Sequence, residues 1–230
     1  MAFNNTINTF KINHQEWIIE ERIGDEGKDG LVYIVKHKTK PNLDGVVKFF
    51  KNTKSLTKIK CEFELLKKCS NAGIAPSIYQ KNIDGKHYII MERLEYTLNE
   101  YINKKGGLNL DDIEQITFLY KELGELGIWH NDGNIFRNIM IKGERFYLID
   151  FGMAKKITIK DKNSFGPNPN FIFLSKLIKF IKNIDVKTYL RKFIDDYEFK
   201  NNVCIDLHNK MEKTRQLRLH MLLDRNKKKK

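Results

Sequence analysis

His130-Asn131-Asp132-Gly133-Asn134-Ile135-Phe136-Arg137-Asn138, followed by Ile139-Met140-Ile141, Lys142-Gly143-Glu144-Arg145, Phe146-Tyr147-Leu148-Ile149 and Asp150-Phe151-Gly152, is the stretch on which the fold turns. Its two short apolar runs, Ile139 to Ile141 and Phe146 to Ile149, flank a polar, glycine-bearing segment of hairpin size, so a tight antiparallel ribbon is expected. Asn138 immediately precedes the first strand and Asp150 immediately follows the second. Antiparallel pairing therefore sets an amide oxygen and a carboxylate side by side at the open end of the ribbon. Hard oxygen ligands placed together suit Mg²⁺, which takes one or two protein oxygens and completes its shell with water and phosphate. Asp132 brings a second carboxylate within reach of the same end. Any one of the three alone would be read as an ordinary turn-forming residue; the three together point to a site.

Upstream, Trp17 to Gly24 and Leu31 to Val35 read as strands of a hairpin joined by the glycine-bearing turn Gly24 to Gly30. Val46-Val47-Lys48-Phe49-Phe50 is a third strand. Lys48 faces the side of Val46 and Phe50, where an ammonium group needs an anionic partner to be tolerated. From Ser55, Leu56, Ile59, Phe63 and Leu66 recur at helical steps toward Asn71 and Gly73, and Tyr88 to Met91 is again a strand. Beyond Glu95 the pattern turns helical. Asp111 opens a long amphipathic run through Ile113, Ile116, Leu119 and Leu123 to Gly127; Phe165 to Asn170 reads as loop, and Phe171 to Ile184 and Val186 to Tyr197 as helices.

At 230 residues and 41% apolar composition the chain can build a core of ordinary domain size. Cys61, Cys69 and Cys204 lack ligand spacing and are expected to be reduced packing residues. No run is long and apolar enough for a membrane span, and the first eleven residues lack the order of a secretory signal. A cytoplasmic or nuclear setting is expected, in a host cell if the chain is viral or an effector. Of the formal charge of +13, residues 151–230 carry nearly all, with 20 basic and 8 acidic side chains. This basic third can attract acidic protein, nucleic acid or a membrane surface. No aromatic-plus-basic stacking motif accompanies it, so a solvated lysine-rich face ending in Lys227 to Lys230 is the plainer reading.

His130-Asn131-Asp132 with Asn138, followed by Asp150-Phe151-Gly152, resembles the catalytic loop and metal-binding tripeptide of the protein-kinase superfamily. The resemblance spans roughly residues 16–185. It implies an α+β, two-lobed protein-kinase-like fold, a small antiparallel β lobe with one helix (about 16–94) before a shortened, mainly helical lobe (about 95–222). An N-terminal tail, 1–15, and a basic tail, 223–230, would flank it. It also implies ATP and Mg²⁺ as ligands, Asp132 as the base acting on an acceptor hydroxyl, and Asn138 and Asp150 as metal ligands. Lys48 would hold ATP phosphate and pair with Glu62, with Glu64 as the other acidic candidate. Gly24, Gly27 and Gly30 with Val32 resemble the glycine-rich phosphate cover. Met91, Glu92 and Leu94 resemble the hinge whose backbone pairs with adenine, while Val32 and Val46 cover its faces.

The sequence also departs from the family pattern. Five residues rather than four separate Asp132 from Asn138, and a bulge at Gly133, which accepts positive φ, is expected to absorb the extra one. The glycines are spaced G-x-x-G-x-x-G, no lysine stands two residues after Asp132, and no Ala-Pro-Glu follows Asp150. Asn131 occupies the place of the arginine that pairs with an activating phosphate, so Thr158 and Ser164 are expected to be ordinary loop residues. This outline resembles compact Ser/Thr kinases of viral, bacterial-effector or tRNA-modification-complex type. It implies an ATP-dependent protein serine/threonine kinase with a protein substrate. The alternatives are a small-molecule, aminoglycoside-type kinase and a nucleotide-binding pseudokinase scaffold.

Overall fold

The computed structural model describes residues 9–12, 15–24, 30–40, 42–82, 87–166 and 168–199. Gly27, Cys204, Lys227 to Lys230 and the rest of residues 200–230 in the basic third lie outside the described residues. The described chain is mixed α+β, with an antiparallel sheet and six α-helices. None of these helices is long and apolar enough to cross a membrane. Contacts divide the chain into two compact units, Met1–Lys105 with His130–Lys155, and Gly106–Trp129 with Lys156–Lys230.

The first unit is built on β1 (Thr9–Ile12), β2 (Gln15–Ile23), β3 (Gly30–His37), β4 (Asp44–Phe50), β5 (Ile78–Asn82) and β6 (Tyr88–Glu92), in the order β1-β2-β3-β4-β6-β5, every pair antiparallel. Strand side chains alternate between faces, and the register sorts them. Trp17, Val35, Val47, Tyr88 and Ile90 close a core on one face, with Tyr33, Phe49 and Tyr79 packed around them. The register Val32↔Lys48↔Ile89 and Ile34↔Val46↔Met91 places those residues in two rows on the opposite face. Gly30 is fixed by backbone rather than by a turn: a Cβ there would lie 2.0 Å from the Phe49 carbonyl oxygen. Gly24 has φ +63, and a Cβ would meet open space.

Helix α1 (Leu56–Asn71) starts where Ser55 Oγ accepts the Lys58 amide, and buries Ile59, Glu62, Phe63 and Leu66 along one stripe. After β7 (Tyr96–Thr97), α2 (Leu98–Lys105) buries Leu98 and Ile102. The short α4 (Ile135–Asn138) leads into the ribbon of β9 (Ile139–Lys142) and β10 (Arg145–Leu148), and β7 adds a third strand alongside β9. Lys142 pairs with Arg145, leaving Gly143 and Glu144 as the turn, with Gly143 at φ +58.

In the second unit, α3 (Leu110–Glu125) begins with a reciprocal cap between Asn109 and Asp112 and buries Ile113, Ile116, Leu119, Tyr120 and Leu123. β8 (Ile128–Trp129) follows it. The expected loop at Phe165 to Asn170 is in part a buried anchor. Asn168 Nδ2 donates to the Tyr120 carbonyl at 2.8 Å, and Asn170 Nδ2 donates to the Ile128 carbonyl at 2.8 Å and to Asn168 Oδ1 at 2.9 Å. The expected helix from Phe171 is a 3₁₀ helix, Pro169–Phe180, and α6 (Ile184–Phe199) starts only after a break at Ile181.

Thr158 is more than an ordinary loop residue. It caps α5 (Ile159–Phe165): its Oγ1 accepts the Asp161 amide at 3.1 Å and donates to Asp161 Oδ2 at 2.8 Å. Thr158→Ala is therefore expected to cost about 1 kcal/mol, as caps of this kind do, and Thr158→Ser much less. Urea unfolding of the two variants beside wild type measures the difference.

Candidate functional site

Lys48, Glu62 and Asp150 come from a strand, a helix and the segment after the ribbon, and they meet. Lys48 Nζ donates to Glu62 Oε1 at 2.6 Å and to Asp150 Oδ1 at 3.1 Å. Glu62, not Glu64, faces inward: Glu62 is 4% exposed, whereas Glu64 is on the exposed side of α1. Burial alone would lower the Lys48 pKa, but the charges of Glu62 and Asp150 and their hydrogen bonds outweigh it and hold the ammonium above its ordinary value. For Asp150, burial would raise the carboxyl; the charge and hydrogen bond of Lys48 and the Gly152 amide outweigh it and hold it below the usual carboxylate range. Both partners are thus charged at neutral pH.

Backbone and side-chain contacts lace the segment 130–138 to the ribbon. Ile149 N donates to the Asn138 carbonyl at 2.9 Å, extending the β9–β10 pairing by one step, so Asp150 directly follows the residue bonded to Asn138. His130, 2% exposed, has Nε2 at 2.9 Å from the Ile149 carbonyl. A carbonyl only accepts, so Nε2 carries the proton. Burial holds the imidazole below its ordinary pKa against the pull of that carbonyl and of Asp132 and Asp150. A neutral His130 therefore ties the loop to the ribbon. Its ring lies 5.3 Å from that of Phe151, which is itself buried.

The extra residue between Asp132 and Asn138 is not absorbed by positive φ at Gly133. The left-handed conformation falls instead on Asn131, φ 58, and between Asp132 and Asn138 the chain forms the single turn of α4, where Arg137 and Asn138 amides donate to the Asn134 carbonyl. Asp132 Oδ1 accepts the Asn134 amide at 3.0 Å, which fixes its carboxylate at the start of that turn. Asn131 Nδ2 donates to the Met153 carbonyl at 3.3 Å, so its side chain is engaged with the backbone just past Gly152. Asp150 also has φ 58, and its Oδ1 accepts the Gly152 amide at 3.4 Å.

Asn138 is 6% exposed, and its Nδ2 is buried without a hydrogen-bond partner. A buried amide group left unpaired costs roughly 1–3 kcal/mol. Oxygen and nitrogen of such an amide are interchangeable by a half-turn, which would put an acceptor where a cation could satisfy it. Among the described residues there is no cluster of three or more His, Cys, Asp or Glu that could hold a metal ion.

The remaining candidate residues divide. Val32, Val46 and Met91 share the sheet face of Lys48 by register. Leu94 is buried. The Glu92 side chain turns elsewhere: it accepts from Lys142 Nζ at 2.6 Å and from the Ser77 amide at 3.3 Å, and the Glu92 backbone amide donates to the Ser77 carbonyl at 2.8 Å. One contact was not foreseen. Lys54 Nζ also donates to Glu62, at Oε2 and 2.5 Å. Nothing in the sequence marks it, because Lys54 lies in the turn after β4, outside any periodic segment. Cys61 and Cys69 are free thiols, and burial pushes the Cys69 thiol up to about 12. No protein-family model matches the chain, and no curated protein matches it.

Proposed function

We propose that the chain is an ATP- and Mg²⁺-dependent phosphotransferase of protein-kinase-like, two-lobed arrangement, acting on serine or threonine hydroxyls of a protein. One observation carries the reading: the contact of Lys48 with both Glu62 and Asp150, the latter 102 positions away along the chain. A buried lysine shared by two carboxylates from separate elements is more than core packing demands, since burying charges is costly unless each is paired.

In this reading Glu62 holds the Lys48 ammonium toward the α- and β-phosphates of ATP, while Val32, Val46 and Met91 offer the apolar surface on which adenine would lie. Asn138 and Asp150 would hold magnesium, which would supply positive charge to neutralise the phosphates. Asp132, held by the Asn134 amide, aligns the acceptor hydroxyl and takes its proton as the oxygen–phosphorus bond forms and ADP departs with the electron pair of the broken bond. His130, neutral and buried, keeps the loop on the ribbon without adding charge beside Asp132. Most of the rate would come from positioning and electrostatics.

Labelled ATP with Mg²⁺, incubated with the chain and generic protein substrates or with an aminoglycoside, tests the reading. Transfer to protein supports it; transfer only to the small molecule would replace it with the aminoglycoside-type alternative, and binding without transfer with a scaffold. A companion result concerns the metal. Mg²⁺ with ATP is expected to raise the melting temperature, and Asp150→Ala to remove most of that rise, because a ligand stabilises only through its affinity for the folded state. An undiminished rise in the variant would place the metal elsewhere.

A further inference from the structure

Glu62 is held by two lysines. Lys48 takes Oε1 and Lys54 takes Oε2. The second is the more deeply buried, with a side chain 6% exposed against 14% for Lys48, although it comes from a turn. Both ammonium groups stand over the ring of Phe50, at 5.4 and 5.3 Å from its centroid. Desolvating a long, flexible cation at a turn is costly, and Glu62 and the ring face help to offset it.

The named contacts set two ammonium groups, Lys48 and Lys54, against two carboxylates, Glu62 and Asp150. If Asp150 engages a divalent cation, Lys48, Lys54 and Glu62 are left with one net positive charge. Without Lys54 the remaining pair would carry none. We infer that Lys54 is a positioning residue that acts through Glu62, occupying one carboxylate oxygen so that Glu62 aims Lys48 without neutralising it, and thereby strengthening the hold on nucleotide phosphate. This rests on the phosphotransferase reading.

Calorimetric titration of the full chain with Mg²⁺ and a non-hydrolysable ATP analogue tests it. Lys54→Met is expected to raise Kd on the order of tenfold, the effect of one unit charge at roughly 10 Å through an effective dielectric of about 20. Lys54→Gln, which keeps a donor for Oε2 but no charge, is expected to do the same, and Lys54→Arg to restore near wild-type affinity. A Kd unchanged in both neutral variants would overturn the inference and reduce Lys54 to a structural contact. No binding by wild type would sink the phosphotransferase reading and the phosphate role of Lys54 with it. A nucleotide-free measurement then decides the shared carboxylate separately. The Lys48→Met, Lys54→Met double variant should lose more melting temperature than the two single losses combined, because only the double leaves Glu62 buried with neither lysine. Additive losses would show that the two lysines do not share it.

Discussion

Asp132→Asn is expected to lower turnover by roughly 10²–10⁴-fold, the usual contribution of a positioned general base, with the Kd for ATP and Mg²⁺ nearly unchanged. The substitution is conservative where it must be. Asp132 Oδ1 accepts the Asn134 amide, and an asparagine carbonyl can accept the same hydrogen bond, so the start of α4 should keep its shape. What is lost is the capacity to take a proton from the acceptor. Single-turnover kinetics with labelled ATP, set beside analogue binding, separates the two quantities. Equal losses in both would mean that Asp132 holds the nucleotide or the loop, and the assignment of roles between Asp132 and Asp150 would have to be redrawn.

The legibility of this chain in its sequence follows physical lines. Apolar, β-branched runs located β3, β4 and β6, and the 3.6 period located α1 and α3, because each of these helices buries one stripe. The ribbon was legible from two apolar runs around Gly143; the sequence set Asn138 beside Asp150, and the register sets Asn138 opposite Ile149, one residue before Asp150. β5, Ile78–Asn82, was missed because it lies at one edge of the sheet with no fully buried side chain. α2 was missed because its eight residues bury only Leu98 and Ile102. At the site, Lys48 and Glu62 could be paired only through the family resemblance, since no local pattern links a strand to a helix fourteen residues on. The positive φ at Asn131 also escaped notice: glycine marks where positive φ is easy, and here an asparagine adopted it instead.

Gly124→Ala in α3 is expected to destabilise the chain by roughly 2–4 kcal/mol, although alanine favours a helix over glycine by about 1 kcal/mol. An alanine Cβ would lie 2.2 Å from Asn168 Nδ2 and 2.4 Å from its Cγ. Asn168 cannot simply swing aside. Its Nδ2 is bound to the Tyr120 carbonyl, and its Oδ1 accepts both the backbone and the side-chain amide of Asn170, all of them buried. Moving it leaves several polar groups unpaired away from water. The sign should reverse when Asn168 is already gone: on an Asn168→Ala background, Gly124→Ala is expected to be neutral or stabilising. Denaturant unfolding of the four proteins forms the cycle, and a Gly124→Ala cost that persists without Asn168 would assign the effect to something other than this contact.

The twelve-residue 3₁₀ run from Pro169 to Phe180 has a mechanical consequence. Such a helix rises about 2.0 Å per residue against about 1.5 Å in an α-helix, so the same twelve residues reach roughly 24 Å instead of 18 Å. Both ends of this run are tethered within the second unit. At one end Asn168 and Asn170 are bonded to the Tyr120 and Ile128 carbonyls; at the other, the Leu108 amide is bonded to the Phe180 carbonyl and Ile181 bridges to Leu108. Relaxation to an ordinary α-helix would shorten the span by about 6 Å and pull one of these tethers free. The segment is a taut strut, and its length is set by its anchors.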